Sequence, residues 1–182
     1  INPMNCELVG ISFSVDAGKG WYIPISHKDG TQLSKNSVLS RLSPIFSDTT
    51  TPVRAHNANY DITVLRENGI FVEGLEFDTM IAAHVAGGRN PGLKDLALDR
   101  FGHEMTPIAE LIGSGKNQIT MSEVSIEKAA KYASADADYT ERLHAILRKE
   151  LEQKEILGLF SNVEMPLIPV LVKMQQNGVA LN

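Results

Sequence analysis

The chain has 182 residues, 43% hydrophobic and 21% charged, and its 17 Lys and Arg against 22 Asp and Glu give a net charge of −5. That is the composition of an ordinary soluble globular domain, long enough to bury a substantial core, and its acidity argues against a free-standing nucleic-acid binder with a basic surface. One cysteine, Cys6, excludes an internal disulfide and a cysteine-based zinc site. The apolar runs are too short for any transmembrane helix, no signal peptide is read, and the start at Ile1 rather than Met reads as a fragment.

Residues 7–15 read as a strand, with Leu8, Val9, Ile11, Phe13 and Val15 in partial alternation. Asp16-Ala17-Gly18-Lys19-Gly20 is turn chemistry, so a second strand at 21–25 makes a hairpin. Residues 34–46 have helical spacing at Val38, Leu39, Leu42 and Ile45, with Ser34 as cap. A short strand at 52–56 leads into a polar loop. Helices follow at 60–68, closed by Gly69, and at 79–85, 93–101 and 106–112. Residues 113–118 form a basic loop, and Thr120-Met121-Ser122-Glu123 is a capping-box pattern before a long helix from 126 to 154. A last helix at 163–177 contains Pro166 and Pro169 and stops at Asn177-Gly178. Strands followed by helices packed on a mixed sheet indicate α/β or α+β, and three strands are few for so many helices.

Two segments carry candidate chemistry. Tyr132 and Asp136 are four apart, so on a helix they share a face one turn apart. Ala129, Ala130, Ala133, Ala135 and Ala137 around them let another element or a ligand come close. A phenol and a carboxylate on such a face can hold a metal and a water together, although a surface Asp beside a half-buried Tyr fits as well. His56-Asn57-Ala58-Asn59-Tyr60-Asp61 lies where a strand ends and a helix opens, a favoured place for functional groups. There Asp61 also fits a charge that complements the helix dipole, and Asn57 a cap or turn residue.

Taken in order, the Asn-x-x-Tyr-Asp segment ending at Asp61, Phe77-Asp78-Thr79 and the Tyr132/Asp136 helix resemble the DEDD exonucleases with Tyr in the third motif. Leu8-Val9-Gly10-Ile11-Ser12-Phe13, Tyr22-Ile23-Pro24-Ile25, Gly115-Lys116-Asn117-Gln118 and the run from Val163 to Leu171 narrow the resemblance to the 3′→5′ exonuclease domain of family A DNA polymerases of the bacterial polymerase I type. The resemblance implies an α/β, ribonuclease H-like mixed sheet flanked by helices. It makes residues 1–160 the exonuclease domain and 161–182 the start of the polymerase domain.

The resemblance also implies roles. Asp61 and Asp136 become metal ligands and, with Tyr132, the catalytic set; Tyr132 orients the attacking water. Asn57 contacts the terminal nucleotide, and Arg89, Lys116, Asn117 and Gln118 lie near the bound single strand. Two divalent ions, Mg2+ or Mn2+ with Zn2+ as a third candidate, stabilise the attacking and leaving oxygens, and carboxylate oxygens suit such hard cations. The implied partners are a single-stranded 3′ end of DNA and the polymerase domain of the same chain, in a cytoplasmic bacterial monomer with no membrane.

One departure matters. The family carries an Asp-x-Glu pair on its first strand, and here Glu7 follows Asn5 with no Asp in place. The pair reads as cut off rather than mutated, together with the strand that bears it, and the segment by itself is expected to be poorly active. Two other readings stay open: a non-catalytic, exonuclease-like spacer in such a polymerase, and an RNA-trimming relative. The histidines show no ligand-like spacing, Met165 and Met174 read as core, and Trp21 reads as hairpin packing with base stacking as the alternative. No glycine loop is followed by Lys-Ser/Thr, and no nucleophile triad is present.

Overall fold

The computed structural model describes residues 2–178 and 180. The expected junction at 161–182 therefore runs past the described residues. The chain divides into two compact units, Ile1–Cys6 with Leu42–Pro91 and His144–Asn182, and Glu7–Arg41 with Gly92–Leu143.

In the second of these units, β1 (Gly10–Asp16) and β2 (Lys19–Pro24) form the expected antiparallel hairpin, with Phe13 opposite Trp21 and Asp16 opposite Lys19. Ala17 and Gly18 make the turn, and Gly18 takes φ 91°, open to glycine at little cost. Its N–H donates to Asp138 Oδ1 at 2.5 Å. Asp138 is buried and also accepts from Arg142 Nε at 3.0 Å and pairs with its Nη2 at 2.7 Å, so the hairpin tip is tied to a charge-assisted network. Farther along the hairpin, Tyr22 Oη lies 2.7 Å from His27 Nε2, and His27 Nδ1 lies 2.9 Å from the Val124 carbonyl. A carbonyl only accepts, so Nδ1 carries the hydrogen and Nε2 accepts from the phenol. Burial pushes the Tyr22 phenol up to about 12.

Helix α1 (Lys35–Phe46) begins after Ser34, whose Oγ accepts from Ser37 N–H at 3.3 Å; the division between units falls inside this helix. In order of the chain, α2 (Ala58–Glu67) and α3 (Thr79–Val85) belong to the other unit, and α4 (Leu93–Phe101) and α5 (Ile108–Ile112) follow here. The long α6 (Ile126–Gln153) matches the expected helix within a residue, and it too spans the division. The capping box forms, with Thr120 N–H donating to Glu123 Oε2 at 2.8 Å, but it caps a 3-10 turn at Met121–Glu123 rather than α6 itself. Two apolar clusters pack in this unit among the described residues. Ala97, Met105 and Tyr139 pack with Leu93, Phe101 and Ala135, and Ile112, Val124 and Ala129 with Tyr22, Leu111 and Met121.

In the other unit, β3 (Val53–Ala55) pairs in parallel with β4 (Leu75–Asp78), Arg54 opposite Phe77 and Ala55 opposite Asp78. The sequence reading missed β4. The two strands are followed by α2 (Ala58–Glu67) and α3 (Thr79–Val85). Phe77 is 1% exposed and meets the rings of His144 and Phe160, each 4.7 Å away. The described strands thus supply both antiparallel and parallel pairing, as two separate two-stranded sheets.

The terminal helix starts earlier than expected. α7 (Leu157–Leu159), a π-helical turn at Phe160–Glu164 and α8 (Met165–Asn177) run on without a break. The joined helix Leu157–Asn177 holds an 18-residue window of mean hydropathy 1.3 and is long and apolar enough to cross a membrane by length and composition. Counting uninterrupted apolar runs had not shown this. Phe160, Met165, Ile168 and Val172 are buried and α8 packs against α2, so one stripe of the helix serves the core of its unit. Met174, expected in the core, is instead exposed because it lies off that stripe.

Gly20 explains how the hairpin reaches α6. A Cβ there would run into the Ser134 carbonyl and its Cβ, with no flexible side-chain end to yield. The close approach anticipated from the small residues of this helix is therefore real, and β2 contributes its own small residue to it. Gly20→Ala is expected to destabilise the protein by about 1–3 kcal/mol through overpacking, read as a lowered urea midpoint. An unchanged midpoint would contradict this close packing.

Candidate functional site

The expected residues fall into two groups, one in each unit. Asn57, Asp61 and Arg89 belong to the unit of β3 and β4; Lys116, Asn117, Gln118, Tyr132 and Asp136 belong to the hairpin unit.

The first group begins where β3 ends. Asn57 sits before α2 with φ 66° and ψ 52°, a left-handed conformation that Asn tolerates better than most side chains. Its side chain caps nothing, and the residue is exposed. Asp61 is exposed in the first turn of α2, where the helix dipole favours a carboxylate. Between them, the Tyr60 hydroxyl donates to Cys6 Sγ at 3.8 Å, and burial, with that bond second, pushes the phenol up to about 12. Arg89 is exposed beyond α3.

Beneath this loop lies Asp78, which the sequence reading used only as part of a motif. It is 1% exposed and caps α3 by accepting from Met80 N–H at 2.8 Å and Ile81 N–H at 3.1 Å. It also accepts from Ala58 N–H at 2.6 Å and Asn57 N–H at 3.3 Å. Thr79 Oγ1 donates to the Ala55 carbonyl at 3.2 Å and lies 2.9 Å from His56 Nδ1. The hydroxyl has one hydrogen, so His56 Nδ1 is the donor in the second contact. Burial lowers the His56 pKa, and the nearby Asp78 opposes that shift.

In the second group, α6 brings Tyr132 and Asp136 together one turn apart, and the phenol donates to the carboxylate. Burial first, then the Asp136 charge, pushes the Tyr132 phenol far up, so it stays protonated and acts as a donor. A third member was not anticipated. Lys94, in the first turn of α4, places Nζ 3.4 Å from Asp136 Oδ1 and 4.5 Å above the centre of the Tyr132 ring. It is 42 residues from Asp136, and no local pattern around Leu93-Lys94-Asp95 marks it out. Burial raises the Asp136 pKa, with the Lys94 charge and the Lys94 and Tyr132 hydrogen bonds pulling the other way. Lys116 and Asn117, in a 3-10 turn at Gly115–Asn117, and Gln118 after it are exposed on the loop read from sequence.

The oxygen donors at both places suit hard divalent cations in kind. In number they fall short, since no cluster of three or more His, Cys, Asp or Glu side chains forms among the described residues.

A carboxyl group whose pKa rises on folding binds more protons in the folded state, so stability falls as pH climbs from the ordinary Asp value to the raised one. With metal chelated, Asp136 contributes in that sense. Lys94→Met removes the cation that opposes the rise, and the fall is expected to steepen and extend to higher pH. Thermal denaturation in chelator between about pH 4 and 7 checks this; identical pH dependence in both proteins would contradict the Lys94–Asp136 interaction.

A family profile described as 3′-5′ exonuclease matches residues 1–152. The chain is similar over its whole length to DNA polymerase I of Chloroflexus aurantiacus at 44% identity and of Pseudomonas aeruginosa at 33%. It spans about a fifth of the length of these curated relatives, 20% and 21%. Among solved structures, Brucella melitensis NrnC bound to pGG is similar over 97% of this chain and 80% of its own, with TM-score 0.73 and 20% identity. The POL domain of Pol1 from M. smegmatis, in complex with DNA primer-template and dNTP, is similar over 91% of this chain and 25% of its own, with TM-score 0.68 and 23% identity. These structures bear out the ribonuclease H-like α/β fold.

Proposed function

The chain belongs to the 3′-5′ exonuclease family, and from that membership we propose that residues 1–160 form the proofreading exonuclease domain of a bacterial-type DNA polymerase I, with 161–182 opening its polymerase domain. The observation that carries the reading is the Tyr132–Asp136 pair, a neutral phenol held by a half-buried carboxylate one helical turn away.

In this reading Asp61 and Asp136 hold two divalent ions, with Mg2+ or Mn2+ ahead of Zn2+, and an upstream Asp-x-Glu strand completes the set. When bound, the ions supply charge stabilisation at the attacking and leaving oxygens of an in-line displacement. The chain's own groups do the rest. Tyr132 stays protonated at neutral pH, so it orients the attacking water by hydrogen bonding and does not take its proton. Lys94 keeps the Tyr132 ring and the Asp136 carboxylate together. Asn57 meets the terminal nucleotide, and the exposed Arg89, Lys116, Asn117 and Gln118 meet the strand behind it. The substrate is a single-stranded or frayed 3′ end of DNA. Unpairing costs least at a mismatch, and that difference gives selectivity. The protein acts as a monomer in the bacterial cytoplasm.

The test is degradation of a 3′-labelled single-stranded oligonucleotide with Mg2+ or Mn2+ by the chain extended upstream through the Asp-x-Glu strand. Asp61→Ala and Asp136→Ala are each expected to lower kcat by at least about 100-fold. A well-folded extended protein without activity would instead support the non-catalytic spacer.

A further inference from the structure

Four consecutive residues at the entrance to α2 are each tied to Asp78 or Thr79. Ala55 and His56 are bound by the Thr79 hydroxyl, and the Asn57 and Ala58 amides by the Asp78 carboxylate. We propose that Asp78 and Thr79 are positioning residues of the exonuclease site, which set Asn57 and, one turn on, Asp61 by clamping residues 55–58. The inference rests on the exonuclease reading above.

Capping α3 does not account for this arrangement. A cap at Asp78 has to satisfy Met80 and Ile81, and a neutral Ser or Asn would do that without burying a charge. An ionised carboxylate 1% exposed is costly unless its oxygens are well matched with donors. Here Oδ1 serves the α3 amides and Asn57, whereas Oδ2 is directed at Ala58 alone, at 2.6 Å. The charge therefore acts on a loop 20 residues upstream as well as on its own helix. That loop needs holding: Asn57 is one of two non-glycine residues with positive φ among the described residues. Such a conformation is disfavoured for a residue with a side chain and persists where the surroundings impose it. Because α2 starts at Ala58, the direction of its first turn, and with it the place of Asp61, follows from these bonds.

The experiment uses the extended chain. kcat and KM on the 3′-labelled oligonucleotide are measured well below the melting temperature for the unaltered protein, Asp78→Asn, Thr79→Val and Thr79→Ser. Amide hydrogen exchange at residues 57 and 58 is followed without metal. Asp78→Asn and Thr79→Val are expected to lower kcat by about 10- to 100-fold, since misplacement by about 1 Å can cost that much. Thr79→Ser keeps the hydroxyl and is expected to stay within about twofold of the unaltered protein. Exchange at residues 57 and 58 is expected to quicken in the two impaired variants. Should Asp78→Asn fail to fold, the nearly isosteric Thr79→Val carries the test. Variants that melt earlier but keep kcat and slow exchange would show a stabilising cap only and overturn the inference. An inactive unaltered protein would overturn the exonuclease reading, and this one with it.

Discussion

A carboxylate cannot be withdrawn from water without donors to replace it. In the unit of β3 and β4 that constraint falls on Asp78, at the end of β4, and its solution organises everything around it. Two of its hydrogen bonds start α3 and two reach the loop that starts α2. One buried charge thereby ties the two strand-to-helix junctions of the parallel pair to each other. Phe77, its neighbour on the opposite face of the strand, contacts His144 and Phe160, so adjacent residues of β4 serve polar and apolar roles at once.

The hairpin unit rests on a different constraint, close approach. Gly20 lets β2 lie against the α6 backbone at Ser134, midway between Tyr132 and Asp136. The tip is fixed farther along α6 by Asp138, and the opposite end by the path from Tyr22 through His27 to Val124. Lys94 then adds a cation beside the Tyr132–Asp136 pair. The face of α6 that carries Tyr132 and Asp136 is thus bounded by a glycine contact, a carboxylate clamp and an ammonium.

Much of this was legible in the residues because it is local. The alternation in β1, the Ala17-Gly18 turn and the four-residue spacing of Tyr132 and Asp136 all lie within a few positions of one another. The missed features depend on distance along the chain. β4 spans four residues, Leu75–Asp78, too short for a period to register, and its partner lies more than 20 positions upstream. Asp78 looked like an ordinary polar residue because its partners are backbone amides, which leave no mark in a sequence. Lys94 meets Asp136 only through the packing of α4 on α6. The family order of motifs, by contrast, could be read because it depends on residue types in sequence rather than on their contacts.

The π-helical turn at Phe160–Glu164 bears on the phase of the terminal helix. An α-helix advances about 100° per residue, and a π-turn accommodates one extra residue within it. Phe160 on one side of that turn and Met165, Ile168 and Val172 on the other are all buried, although an uninterrupted α-helix would distribute them differently. Angular register, rather than length, therefore decides which side chains of α8 meet α2. Deleting one residue within the turn would leave Phe160 and Met165 four apart, the spacing that shares one face of an uninterrupted α-helix, so the π-turn would close into α-helix and α8 would keep its buried stripe, with Val170 and Met174 still on the exposed side.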